Sequence, residues 1–173
     1  MLNTNRMIEA LEELEGMASR LFDRLGTHFG RDEELSLLFI RLGIDAASHG
    51  SILRHIGQFM RQDQAAAAKT TDANAKRFEM VRKDLERLRE QTSEFEGLDA
   101  VRAVLELETF LMESYTENVL LACPAGMAHM ITHMHADCRN QIRELHAISR
   151  RRTLPHRTTG MRPLRALFGA ASR

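Results

Sequence analysis

Apolar residues recur at steps of three and four along most of the chain, and this spacing constrains the fold more than any other feature. The first stripe contains Met7, Leu11, Leu14, Ala18, Leu21, Leu25 and Phe29. Asn3 or Thr4 can cap the start of this helix, and Gly30 ends it. A second stripe begins near Asp32 and contains Leu35, Leu38, Leu42, His49, Leu53, Ile56 and Met60. The short linker between the two stripes predicts that the helices are antiparallel neighbours.

The second half of the chain repeats this scheme after a different intervening segment. Residues 62–75 are rich in Ala, Gln and Thr, whereas 76–89 form a charged helix with a thin apolar stripe. A third stripe runs from Val101 to Ala122, residues 123–126 (CPAG) break it, and a fourth occupies 127–149. We therefore expect an all-α fold, an up-down four-helix bundle with a long crossover containing an extra helix. This arrangement resembles the ferritin-like bundle.

Charge divides the sequence into two parts. Residues 150–173 contain seven Arg and no acid, so residues 1–149 carry 17 basic and 24 acidic residues. We expect a bundle over 1–149 and a separate basic tail over 150–173. The end of the tail places Met161, Leu164, Leu167 and Phe168 on one short apolar face. Two interpretations stay open: a frayed end, or a segment that docks on an acidic subunit, a partner shell or an anionic surface.

Composition excludes several classes of protein. The 24 basic and 24 acidic residues balance, and the tail lacks interleaved aromatic residues, so no nucleic-acid partner is expected. No apolar run approaches the ~20 residues of a membrane span, and the acidic N-terminus is unlike a signal peptide. The two cysteines, Cys123 and Cys138, lie too far apart along a helix to pair. These features predict a cytoplasmic protein with free thiols.

Polar residues interrupt the apolar stripes at one height. His49 lies at the centre of the second stripe, with Asp45 one turn earlier, and Glu108 occupies an apolar position of the third. On the fourth helix Cys138 and Gln141 hold core positions, and Asp137 lies at the edge. Counting from the two turns at ~1.5 Å per residue brings His49, Glu108 and Gln141 to one level, which Glu13 also reaches.

Buried carboxylates are costly unless they are paired, protonated or bound to a metal. Carboxylates and imidazole in the middle of a bundle are ligands that iron or manganese accept. The alternative is an Asp45–His49 pair and a hydrogen-bonded Glu108 that only define the helix register. The pattern of residues leaves both interpretations open.

The stretch from Glu13 through FGRDEELSLLFIRLGIDAASHGSIL resembles the first half of a rubrerythrin or another ferritin-like di-iron protein. The resemblance covers residues 5–149. Glu13 matches the family's first-helix Glu, and His49 matches the His of its second-helix Glu-x-x-His. Ala46 stands where the Glu of that motif belongs, with Asp45 beside it as a substitute.

The second half of the chain departs further from the family pattern. Either Glu106 or Glu108 matches the third-helix ligand, and residues 137–140 (DCRN) place Asn140 where a His belongs. The resemblance implies a divergent rubrerythrin-like protein with a reduced or vestigial site that holds one iron, manganese or zinc ion rather than two. The implied metal ligands are Glu13, Asp45, His49, Glu108 and Asp137.

No catalytic residue and no organic cofactor follow from this resemblance. An enzyme of this class would be a metal-dependent oxidoreductase, although the chain lacks a Cys-x-x-Cys pair of the rubredoxin type. The alternative function is a metal-free helical interaction module that docks a partner through the basic tail or an apolar seam. In both cases we expect a homo-oligomer or a protein partner.

A run of histidines on the fourth helix offers a second candidate site. His129 and His133, four residues apart, share a helix face and could form half of a transition-metal site. The simpler interpretation, which we favour, places Met127, Ile131 and Met134 in the core and the histidines on the solvent side.

Overall fold

The computed structural model describes residues 4–62, 72–120, 123 and 125–153, and these contain helices and no strand. The all-α prediction is therefore confirmed for this part of the chain. The α-helices are α1 (Thr4–His28), α2 (Glu33–Gln62), α3 (Asp72–Glu90), α4 (Gly97–Ser114) and α5 (Ala125–Arg152). A 3₁₀ turn occupies Thr92–Glu94, and a π-helical segment, Tyr115–Leu120, continues α4.

Helices α1 and α2 form a closely packed antiparallel pair, as the short linker predicts. Ser19 Oγ donates a 2.9 Å hydrogen bond to the Gly43 carbonyl, and Ser36 Oγ donates one of 2.8 Å to the Gly26 carbonyl. A Cβ atom added at Gly26 would lie 2.9 Å from Ile40 Cγ1. The absence of a side chain at Gly26 therefore permits the close approach of the two helices.

Helix α3 lies between the first helix pair and α4. Arg24 Nη1 of α1 donates to the Arg89 carbonyl of α3 at 3.1 Å. On α4, Phe110 makes a T-shaped contact with Phe78, with 5.6 Å between ring centroids, and the Arg77 guanidinium lies 4.9 Å from the same ring. The predicted crossover helix is thus present, and residues 63–71 of the crossover lie outside the described residues.

Helices α2 and α5 are joined by polar side chains along much of their length. The pairs, taken in order along α2, are Asp32–Arg152, Glu34–Arg151, Arg41–Glu144, Asp45–Gln141 and His49–Asp137. Because the α5 numbers fall as the α2 numbers rise, the two helices are antiparallel. Long side chains bridge this face of the bundle.

The predicted boundary between bundle and tail lies inside α5, which continues to Arg152. Arg152 donates to Asp32 Oδ2 at 2.6 Å and to Glu34 Oε2 at 2.9 Å, and Arg151 donates to Glu34 Oε1 at 2.5 Å. The first residues of the Arg-rich segment therefore hold the end of α5 against the start of α2. Residues 154–173, including the apolar residues expected on the tail, lie outside the described residues.

The core is built mainly from the predicted stripes of the five α-helices. Buried members of these stripes include Leu11, Leu21, Leu42, Leu53, Val81, Leu85, Val101, Ile131 and Leu145, and further buried residues such as Phe39 and Leu111 lie outside them. In the part of the chain that the structure describes, no helix has the length and apolarity that crossing a membrane requires.

The third predicted helix changes from α-helical to π-helical geometry at a point where the apolar spacing predicts a continuous α-helix. Helix α4 ends at Ser114, and the backbone widens into the π-helical segment over Tyr115–Leu120. Single π-helical turns are rare and frequently occur beside functional sites. Here the wider turn begins at Tyr115, whose side chain is fully buried.

Candidate functional site

A layer of polar side chains crosses the middle of the bundle, and we call it the mid-bundle cluster. It contains the buried residues Glu15, His49, Glu108, Tyr115, Cys138 and Gln141, with the partly buried Asp45 and Asp137 at its edge. Helices α1, α2, α4 and α5 and the π-helical segment all contribute to it. The cluster therefore joins the two helix pairs through polar groups.

His49 is the centre of the cluster. Its Nδ1 atom lies 3.4 Å from Glu15 Oε1, and its Nε2 atom lies 3.5 Å from Asp137 Oδ2. The Tyr115 ring meets the imidazole edge-on, with 6.1 Å between the ring centroids. His49 thus lies between carboxylates of α1 and α5, with an aromatic wall on one side.

A second polar contact lies one turn away from the His49–Asp137 contact and also joins α2 to α5. Gln141 Nε2 donates a 2.8 Å hydrogen bond to Asp45 Oδ2. This bond occupies the amide nitrogen of Gln141 and holds the Asp45 carboxylate towards α5. The predicted Asp45–His49 pair is replaced by contacts from each of these residues to the opposite helix.

Burial changes the acid–base properties of the two buried carboxylates. Removal from water, together with the nearby Glu15 carboxylate, raises the pKa of Glu108 to about 8, from 4.5. Burial also raises the pKa of Glu15, and contact with His49 opposes this effect only in part. Glu108 is therefore largely protonated at neutral pH while no cation lies beside it.

His49 and Cys138 respond to the same environment in different ways. Burial lowers the pKa of His49, but the Glu15 carboxylate at 3.4 Å and the charge of Glu108 outweigh this effect, so the pKa is raised. Burial and the nearby Glu108 carboxyl group raise the pKa of Cys138. Cys138 is therefore a neutral, buried thiol of the cluster.

Several buried polar atoms of the mid-bundle cluster have no hydrogen-bond partner among the described residues. They are Glu15 Oε1, His49 Nε2, the Tyr115 hydroxyl and Gln141 Oε1. Glu15 Oε1 lies 3.4 Å from His49 Nδ1, and His49 Nε2 lies 3.5 Å from Asp137 Oδ2, but neither contact has the alignment of a hydrogen bond. Unsatisfied buried groups are rare, and a concentration of them in one layer indicates a place for a further polar or charged group.

The structure places four of the five predicted metal-site residues in or beside the cluster and the fifth elsewhere. His49 and Glu108 are buried in it, and Asp45 and Asp137 lie at its edge. Glu13 is exposed and borders a surface pocket between α1 and α3. The structure thus corrects the predicted position of Glu13, because residue 13 lies on the outer face of α1.

Glu15 takes the place that the sequence analysis gave to Glu13. A second apolar track on α1 runs beside the first, and both Ile8 and Phe22, seven residues to either side of Glu15, are fully buried. This spacing of seven was visible in the sequence and marks residue 15 as a core position.

The structure also shows where the remaining candidate residues of α4 and α5 lie. Glu106 is half-buried and borders a surface pocket that includes Phe110 and His146, whereas Glu108 faces the cluster. His129 and His133 are exposed on α5, and Ile131 and Met134 are buried. Met127 and His135 are half-buried, so the favoured placement of this run is confirmed for His129, His133, Ile131 and Met134 only. Both cysteines are free thiols, as predicted.

The donor atoms of the cluster contact one another in pairs. Across residues 4–62, 72–120, 123 and 125–153, no group of three His, Cys, Asp or Glu side chains converges closely enough to hold a metal ion as placed. The residue types are nevertheless those that iron, manganese and zinc accept, since they combine carboxylate oxygen with one imidazole nitrogen.

Comparisons with models of protein families, with curated proteins and with solved structures found no match to this chain.

Proposed function

We propose that this protein is a divergent ferritin-like bundle that holds one metal ion in the mid-bundle cluster. The single observation that carries the proposal is the set of buried, unsatisfied donor atoms around His49, which includes Glu15 Oε1 and His49 Nε2. The helix order adds support. Two antiparallel pairs joined by a long crossover, with acids contributed by α1 and α4, have the arrangement of ferritin-like bundles.

The ligands we assign are Glu15, His49, Glu108 and Asp137. Two buried carboxylates near one another are unfavourable without a proton or a cation, and the raised pKa of Glu108 reflects this cost. A cation would replace the Glu108 proton and neutralise Glu15. Binding would exchange the mutual contacts of His49, Glu15 and Asp137 for contacts to the ion.

Other members of the cluster orient these ligands. The Tyr115 ring limits the rotation of the His49 imidazole, and the Gln141–Asp45 hydrogen bond one turn away holds α5 against α2, so that Asp137 faces His49. When bound, iron or manganese would supply redox chemistry and zinc would supply Lewis-acid chemistry. The buried walls exclude water from Glu15, His49 and Glu108.

Metal analysis tests this proposal directly. Protein purified without added metal and then dialysed against Fe²⁺, Mn²⁺ or Zn²⁺ should retain one of these ions at one equivalent per chain. The variants His49→Gln and Glu108→Gln should lose it. His55→Gln and Glu117→Gln, which change exposed residues of α2 and the π-helical segment, serve as matched controls.

A folded wild-type protein that retains none of the three ions would contradict the proposal. Loss of metal in both control variants would also contradict it, because surface sites would then account for binding. Far-UV circular dichroism of each variant separates loss of metal from loss of the fold.

A second candidate function, a metal-free interaction module, is favoured by one different observation. Leu37, Ile40 and Ile44 form an exposed apolar stripe on α2, with exposed fractions of 60%, 43% and 64%. Their spacing of three and four residues is that of a helix–helix contact, and we assign a second copy of this chain as its occupant. Light scattering should show dimers of the wild-type protein. The double variant Leu37→Gln/Ile44→Gln should be monomeric, whereas Met80→Gln on α3 should remain dimeric.

A further inference from the structure

A graded series of side chains links the mid-bundle cluster to the surface. The series runs through His133, Asp137, His49 and Glu15, whose side chains are 76%, 35%, 4% and 1% exposed. His133 and Asp137 lie four residues apart on α5, so they occupy the same face of that helix. His49 then continues the series on α2 and Glu15 ends it on α1.

The distances along this series are short at every step. His133 Nδ1 lies 2.8 Å from Asp137 Oδ2, and the same oxygen lies 3.5 Å from His49 Nε2. The third step is 3.4 Å, from His49 Nδ1 to Glu15 Oε1. One carboxylate oxygen of Asp137 thus faces both an exposed imidazole and a buried one. The buried nitrogen, His49 Nε2, has no hydrogen-bond partner in the described part of the chain.

The adjacent contact between α2 and α5, one turn away, is arranged differently. There Asp45 is held by the amide of Gln141, which is itself buried. An amide nitrogen donates hydrogen bonds and does not bind cations. The bonded oxygen of Asp45 is therefore occupied by a group that cannot pass on a metal ion. Around the α5 helix, Ile131, Met134 and Cys138 are fully buried and present apolar or neutral groups. Asp137 is the member of the cluster that contacts an exposed imidazole.

We infer that His133 and Asp137 form the uptake site through which a divalent transition-metal ion passes from solvent to His49. This inference rests on the proposed function, because it requires that the cluster binds metal. His133 and Asp137 would first bind the arriving ion together. The Asp137 carboxylate would then turn from His133 towards His49 while still holding the ion. His133 acts in uptake and is not one of the final ligands.

The arrangement predicts different effects for the two residues. Loss of the His133 imidazole removes the outer half of the uptake site, so both loading and release should slow while the affinity stays the same. Loss of the Asp137 carboxylate removes an assigned ligand, so the affinity itself should fall. This difference separates an uptake role from a role in final binding.

The experiment uses Co²⁺ and the full chain in its metal-free form. Its loading is followed by rapid mixing and visible absorption, and the final stoichiometry by metal analysis. In His133→Gln we expect loading to be slower by about tenfold, with one equivalent bound at the end and an unchanged affinity. The matched control, His146→Gln, changes an exposed histidine further along α5 and should load at the wild-type rate.

Three outcomes would overturn the inference, and they are distinguishable. An unchanged loading rate in His133→Gln shows that uptake uses another route, although the proposed function stands. If His133→Gln no longer binds one equivalent of Co²⁺ at the end of loading, His133 is a final ligand. If the wild-type protein binds no Co²⁺, the uptake site for a divalent transition-metal ion is wrong, whereas the proposed function is decided separately by the analysis with Fe²⁺, Mn²⁺ and Zn²⁺.

Discussion

Gln141 of α5 donates a 2.8 Å hydrogen bond to Asp45 of α2 in the middle of the bundle. One turn away, His49 Nε2 of α2 lies 3.5 Å from Asp137 Oδ2 of α5. Each helix carries an acid followed four residues later by a longer side chain, and the helices are antiparallel. The acid of each helix therefore meets the longer side chain of the other, and this reciprocal contact determines their register.

We predict that Gln141→Ala lowers the free energy of unfolding by about 1–2 kcal/mol. The substitution leaves the partly buried Asp45 carboxylate without its donor and removes side-chain packing beside Cys138. Urea denaturation at neutral pH measures the change. Gln58→Ala, at an exposed position of α2, should change the free energy by less than about 0.5 kcal/mol. Equal effects at the two positions would show that the contact contributes nothing.

The stability of the metal-free protein should depend on pH through Glu108. In the folded protein the pKa of this carboxyl is raised to about 8, whereas 4.5 is its ordinary value. Between these two pH values the folded state holds a proton that the unfolded state has released. The free energy of unfolding therefore falls as the pH rises from about 4.5 to 8 and levels off above that range.

Glu108→Gln should remove most of this dependence, because an amide of the same shape does not ionise. At pH 8 we expect the variant to be more stable than the wild type by on the order of 2–4 kcal/mol. Below pH 4.5 the difference should nearly vanish. Urea titrations at several pH values, in the presence of a chelator, measure both effects. A wild-type curve that stays flat between pH 5 and 8 would exclude the raised pKa.

The contact between the end of α5 and the start of α2 should also be measurable. Arg152 donates to both Asp32 and Glu34, and its hydrogen bond to Asp32 lowers the pKa of that carboxyl. Arg152→Ala should lower the free energy of unfolding by about 1–2 kcal/mol at neutral pH. The wild type should lose part of its excess free energy of unfolding over Arg152→Ala as the pH falls through the lowered pKa of Asp32.

The control for this prediction is Arg150→Ala, two residues earlier at an exposed position of α5. It should leave the melting temperature nearly unchanged at low salt. If both variants melt alike, the ion pairs of Arg152 are offset by the cost of ordering its side chain.

The helices could be predicted from the sequence because their stripes are long and regular. The bounds of α1 and α2 differ little from the expectation, since Gly30 and the acids of residues 32–34 mark the turn between them. Core polar positions such as His49, Glu108 and Gln141 were also predictable. Each stands where the period of its own helix demands an apolar residue.

Three features could not be found in this way, and each has a physical reason. Height along the helix predicts Glu13 for the cluster, whereas the rotation about the helix axis, which the height does not include, places Glu15 there. The π-helical turn at Tyr115 depends on packing between helices. The apolar spacing within one helix carries no information about that packing. The end of α5 at Arg152 depends on the acids of α2, which lie more than a hundred residues away in sequence.

The hydroxyl of Tyr115 provides a test of the cluster that needs no metal. The side chain is fully buried, its ring contacts His49, and the described residues offer its hydroxyl no hydrogen-bond partner. Removing an unsatisfied buried hydroxyl while keeping the ring should stabilise the metal-free protein by about 1 kcal/mol, so we expect Tyr115→Phe to melt higher than the wild type.

Tyr115→Leu is the matched comparison, because it removes the ring as well as the hydroxyl and should cost about 2–4 kcal/mol by leaving a cavity beside His49. Calorimetry of the metal-free protein measures both changes. If Tyr115→Phe melts clearly lower than the wild type, the hydroxyl holds an ordered water or another polar group in the cluster. The unsatisfied atoms around His49 would then already be occupied without a metal ion.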